Sequence, residues 1–213
     1  MADLDPLQYA AVVVVAAFFL LWYYGAYVYS RRLARRIGTE IKRAVVDLGG
    51  TSKIQWFGTT AFRMTTEGAN PPFREFSVTV TLRPREMPIN WAIGTTQGRR
   101  DAALVEAALR KDPRIEFELV DPHTRIGQRR SRSKAGWSNV SLGGRELLLS
   151  SDDEHRARRT LESVDSESLV PIAALHVTAG NQPGIAASVS VATGAASGGI
   201  AAIRALAERL ATQ

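Results

Sequence analysis

The chain has 213 residues, no cysteine and a formal net charge of +6. Its length suits one domain of ordinary size beyond any anchor. The absence of cysteine excludes disulfides, thiolate metal sites, iron–sulfur clusters and thiol nucleophiles. The basic balance fits an anionic leaflet, nucleic acid or an acidic protein, without choosing among them.

No charged side chain lies between Asp5 and Arg31. About 20 apolar residues at 1.5 Å rise cross a hydrocarbon core roughly 30 Å thick, so this run is expected to span a membrane as one helix. A cleaved signal peptide fits poorly. Asp3 and Asp5 stand where a positive n-region belongs, and Tyr27-Val28-Tyr29-Ser30 is no small-residue cleavage site. A buried core helix rarely holds so long an uncharged run. A pilin-type assembly helix needs a basic leader and an acid just inside the run, and neither is present. The segment therefore reads as an uncleaved signal anchor.

Arg31, Arg32, Arg35 and Arg36 follow the run and no basic residue precedes it. The positive-inside rule then places the N-terminus outside the cell and the rest in the cytoplasm, at the plasma membrane. All 27 basic residues follow the run while two of the 21 acidic ones precede it, which leaves +8 on residues 31–213. Trp22, Tyr23, Tyr24, Tyr27 and Tyr29 crowd the same end, as an interfacial aromatic belt does. With the four arginines they form the expected membrane-interface site, and the lipid bilayer is the first expected partner. Only four of the basic residues are lysines. That bias is associated with GC-rich prokaryotic genomes, so a prokaryotic source is expected.

Residues 31–48 carry Leu33, Ile37, Ile41 and Val45 at every fourth position and arginines on the other side, which predicts a basic amphipathic stalk helix continuous with the span. Gly49-Gly50 stops it. Period-two patterns follow. Residues 53–57 and 62–65 flank Gly58-Thr59-Thr60 as a hairpin, and Phe73 to Leu82 alternates cleanly. Residues 88–98 read as a loop or short helix carrying Trp91. Residues 101–109 fit a helix or a strand, with a hairpin to 115–120 favoured.

Residues 127–136 read as a polar loop. Strands follow near 137–142 and 145–150. Ser151-Asp152-Asp153-Glu154 reads as a capping box with Ser151 as N-cap. Short helices over 154–163 and 166–174, a hairpin of 175–179 with 185–191, and a helix from Gly199 to Thr212 complete the chain. The predicted class is α+β: an N-terminal transmembrane helix, then a mostly antiparallel sheet with helices toward the C-terminus. The expected division is an anchor over 1–30, a stalk over 31–48 and a cytoplasmic domain over 49–213, with a subdivision near 122–136 left open.

The chemical candidates are few. Arg125, Arg129, Arg130, Arg132 and Lys134 form a basic segment able to meet phosphates, with a solvated loop as the plain alternative. Gly194, Ser197, Gly198 and Gly199 form a turn before a helix, where backbone N–H groups can hold an anion. The turn lacks a P-loop Lys-Ser/Thr, and an ordinary N-cap at Ser197 explains it as well. His123, His155 and His176 lie far apart without metal-ligand spacing, and Glu116 and Glu118 read as solvated. No catalytic, cofactor or metal site is expected. The first functional reading is a non-enzymatic, membrane-anchored scaffold or accessory subunit with a protein partner in the membrane. The second is an anchored module binding nucleic acid or another polyanion through 125–134. The third is an enzyme whose site is assembled from scattered residues.

Overall fold

The structure, a computed structural model, describes residues 5–134, 136–180, 183–192 and 194–212. Helix α1 (Pro6–Val46) starts where the Asp5 carboxylate accepts from Leu7 N, with Pro6 in its first turn. It runs unbroken for 41 residues, about 60 Å at 1.5 Å per residue. Its two halves differ. The first contains an 18-residue window of mean hydropathy 2.0 with none of its residues buried. This half is long and apolar enough to cross a membrane, and it is not a core helix. In the second half Ser30, Ala34, Ile37, Gly38, Ile41 and Val45 are buried at three- and four-residue spacing, the stripe one helical face presents.

The stalk expected over 31–48 therefore does not stand apart. Ile37, Ile41 and Val45 lie in the same core as Phe62, Phe76 and Val78 of the sheet. Gly38 faces the Phe62 ring. The arginines keep the outward side, with Arg31, Arg32, Arg35 and Arg36 all exposed.

Among the described residues the sheet has nine strands, all antiparallel: β1 (Thr51–Trp56), β2 (Ala61–Glu67), β3 (Phe73–Thr81), β4 (Ala102–Leu109), β5 (Phe117–Val120), β6 (Ser138–Leu142), β7 (Arg145–Ser151), β8 (Ile172–Val177) and β9 (Ile185–Ser190). Their spatial order is β1-β2-β3-β4-β9-β8-β5-β7-β6. The fold is α+β, with a long apolar N-terminal helix, this sheet, and helices toward the C-terminus. Strands from both sides of 122–136 belong to this one sheet.

Residues 101–109 form a strand, but not the favoured hairpin. β4 pairs with β3 and β9, while β5 pairs with β7 and β8. The last hairpin, β8–β9, is inserted between them. Alternation won over alanine's helix propensity in β4 because Ala103, Val105 and Ala107 all face the core.

Among the described residues six helices accompany the sheet. α2 (Pro88–Thr96) takes the segment left open as loop or helix. α3 (Arg125–Ser133) replaces the expected polar loop. The Thr124 hydroxyl caps it by accepting from Gly127 N at 3.0 Å. α4 (Glu154–Glu162) is capped by Asp153, not Ser151. Ser151 still belongs to β7, where its hydroxyl donates to Glu116 O and accepts from Asp153 N. α5 (Ser166–Leu169) is one turn, because Ile172 already enters β8. α6 (Ala195–Ala211) starts four residues earlier than expected. α6 packs against α1, α4 and α5, and these helices meet the sheet through α6 at β4 and β9 and through α4 at β7. α3 lies over β5 and β8.

Candidate functional site at the helix–domain junction

The domain meets α1 where its exposed half ends. The segment from Leu82 to Asp101 leaves β3, forms α2 and returns into β4. Leu82 anchors one end in the core. At the other end Asp101 accepts from Arg83 N at 2.7 Å and from the Arg85 guanidinium at 2.6 Å. Arg85 is only 8% exposed. Its guanidinium also donates to Arg83 O and lies over the Tyr29 ring at 5.4 Å. A buried guanidinium is tolerable because it is paired and hydrogen-bonded.

The Arg85 carbonyl then accepts from Trp22 Nε1 at 2.9 Å, and the Trp22 ring meets Trp91 of α2 at 5.7 Å. This clasp fixes α2 against α1. Between them lies a pocket of about 460 Å³, with Leu21, Trp22 and Tyr29 on one side and Arg83, Arg85 and Trp91 on the other.

The expected aromatic belt is thus divided in role. Trp22 and Tyr29 contact the domain, while Tyr23 and Tyr24 point outward. Tyr27 stacks on Tyr23 and accepts from Arg31. Alternation and spacing could not reveal this split, because the partners lie more than fifty residues away.

The basic segment 125–134 is likewise divided. Glu118, read as solvated, is buried beneath α3. Its carboxylate meets Arg130 at 3.1 Å and Lys134 at 3.9 Å. Arg125 donates to Gln97 O at the end of α2. Arg129 and Arg132 stay exposed on the helix surface. Only the Glu116 half of the earlier reading holds, and that carboxylate accepts from Ala179 N.

The turn read as an anion site already holds an anion. Glu40 of α1 accepts from Gly194 N at 3.4 Å and from Ser197 N at 3.1 Å. A carboxylate at a helix N-terminus satisfies free N–H groups and the dipole together. Gly198 and Gly199 lie inside α6, and a Cβ on Gly199 would run into Val189 of β9. These glycines serve helix–sheet approach. The N-cap is Gly194, not Ser197, whose hydroxyl donates back to Gly194 O.

His123 and His155 are exposed and His176 is half-buried. His176 is the cross-strand neighbour of Glu118. Among the described residues no group of three His, Asp or Glu could hold a metal ion. A smaller pocket of about 210 Å³ lies on the sheet at Arg63, Ser77 and Glu106. There Arg63 donates to both Ser77 and Glu106, and Ser77 donates to Glu106. No family model matches the chain, and no curated protein matches it.

Proposed function

We propose that the chain is a single-pass, membrane-anchored and non-enzymatic scaffold or accessory subunit of a membrane-associated assembly. Its N-terminus lies outside and its domain in the cytoplasm, at the plasma membrane. One observation carries this reading: a helix whose first half is apolar, with no residue of its membrane-length window buried, continues without a break into the core of the domain. A domain joined this way takes up a fixed height and orientation relative to the bilayer, which is what a scaffold needs. A flexible linker would supply tethering without orientation.

The β1 edge of the sheet supports a protein partner. β1 is exposed along its whole length, and Ile54, Trp56 and Phe57 are each 41–50% exposed at its end. An edge strand with one unpaired side and exposed apolar side chains is a template for added strands. The test is a photo-cross-linking residue placed at Trp56 or at Ser141 in intact membranes. A discrete adduct with another membrane protein at Trp56, absent at Ser141, is the expected result. Identical adduct patterns at both positions contradict the reading.

The second reading, polyanion binding through α3, draws on one observation. Arg125, Arg129 and Arg132 recur at helical spacing on an exposed helix. Replacing Arg129 and Arg132 with alanine in the full-length protein spares the Glu118 pairs. It is expected to abolish salt-sensitive nucleic-acid binding by detergent-solubilised protein if this reading holds. Indifference of the parent protein to nucleic acid at low salt removes it.

A further inference from the structure

We propose that α2 lies in the plane of the membrane interface, in the leaflet on the domain's side, as a second membrane contact beside the span. The proposal rests on the reading of α1 as a membrane-crossing helix.

Composition comes first. Met87 to Gly98 holds twelve residues without a charge, bracketed by Arg83 and Arg85 before and Arg99 and Arg100 after. In a water-facing helix of this length an amphipathic pattern would bury the apolar side chains. Here the opposite holds. Ile89 is 65% exposed, Met87 58% and Ile93 48%, and of α2 only Gly94 is buried. Ile89 and Ile93 are four residues apart and so share one face. Clustered exposed apolar side chains with a basic rim mark an interaction surface, and that chemistry suits an anionic leaflet.

Depth decides the occupant. If the hydrocarbon begins at Leu7, about 20 residues of helix cross it, so its far boundary falls near Ala26. Trp22 then lies roughly 6 Å inside that boundary. Trp91 of α2 packs directly on Trp22, and Arg85 O accepts from the Trp22 indole. α2 is therefore held at the depth where interfacial helices sit, about 5–10 Å into the headgroup and acyl boundary.

The surroundings agree. Arg99 and Arg100 are exposed beside α2, and Arg125 links α3 to its end. The neighbouring acids are occupied within the protein. Asp101 pairs with Arg85, and Glu86 accepts from Thr59 and from Arg85 N. Ile126 on α3 adds one more exposed apolar side chain beside Arg125. The pocket between α1 and α2 has apolar walls with Arg83 and Arg85, a lining that accommodates the acyl chain and phosphate of a lipid together.

The cysteine-free sequence allows single-site labelling of the full-length chain. Ile89→Cys, Leu20→Cys and Ser141→Cys variants would each carry an environment-sensitive NBD dye. All three positions are exposed, so labelling leaves the core intact. The proteins are reconstituted in vesicles of phosphatidylcholine and phosphatidylglycerol, with or without spin-labelled lipids. The proposal expects blue-shifted emission at Ile89 and Leu20, loss of most of it on spin-labelled lipid, and neither effect at Ser141. Lipid contact at Leu20 with water-like emission at Ile89 overturns the proposal and leaves the span standing. Water-like emission at both overturns the span and the proposal with it. Shielded emission at Ile89 that spin-labelled lipid does not quench, with cross-linking between two Ile89→Cys chains, assigns the face to a second copy and also overturns the proposal.

Discussion

Gly199 sets how closely α6 approaches the sheet, since a methyl group there would meet Val189 of β9. Gly199→Ala is expected to destabilise the domain by about 1–3 kcal/mol, the range for overpacking a buried contact. Chemical denaturation reads this, and an unchanged midpoint would mean the helix shifts freely. Glu40 acts on the same helix from a distance, through Gly194 N and Ser197 N. Glu40→Ala should cost about 0.5–2 kcal/mol, the range for losing an N-terminal cap. In sequence, the small residues at 194–199 announce a special turn or close approach. They do not tell which, because the carboxylate arrives from more than 150 residues away. Glu118 teaches the same point. Alternation places it opposite Phe117 and Leu119, but only the covering helix α3 decides that this face is buried.

At the scale of single elements, helix N-termini carry a pH signature. The Arg158 side chain hydrogen-bonds Glu154 and, with Ser138, holds its carboxyl below the usual glutamate range. The Ser168 hydroxyl holds Asp165, the cap of α5, below the usual aspartate range, with help from the N–H groups of Glu167 and Ser168. Lowered values mean that these contacts stabilise the fold above the unfolded carboxylate range. That contribution fades as pH falls through the lowered values. Carboxyl NMR titration should find both midpoints below their ordinary positions, and Arg158→Ala should raise that of Glu154. A midpoint for Glu154 that ignores this substitution contradicts the assignment. Most strands were legible, because alternation over β2 and β3 survives in the burial pattern of their inward residues. Strand order was not, since nothing local says that β8 and β9 insert between β4 and β5. α3 was missed for a clear reason: it has one large apolar residue, Ile126, so no hydrophobic period exists to read.

Across the whole molecule, the apolar run long enough to cross a membrane and the core of the domain share one helix. Ile37, Ile41 and Val45 are each 0–3% exposed, and each contributes about 1.5–3 kcal/mol through burial. Together they approach the entire stability of an ordinary domain, about 5–15 kcal/mol. A chain lacking residues 1–21 should therefore keep cooperative unfolding, and one lacking residues 1–48 should not. Calorimetry of both truncations decides this, and a cooperative transition in the shorter one would separate helix from core. The most direct test of the anchored topology again uses the absence of cysteine. Ala2→Cys and Ser141→Cys variants are exposed to a membrane-impermeant thiol reagent on intact cells. Labelling of Ala2→Cys at once, and of Ser141→Cys only after permeabilisation, is the expected result. Labelling of Ser141→Cys on intact cells, or recovery of the full-length chain in the aqueous fraction, contradicts it.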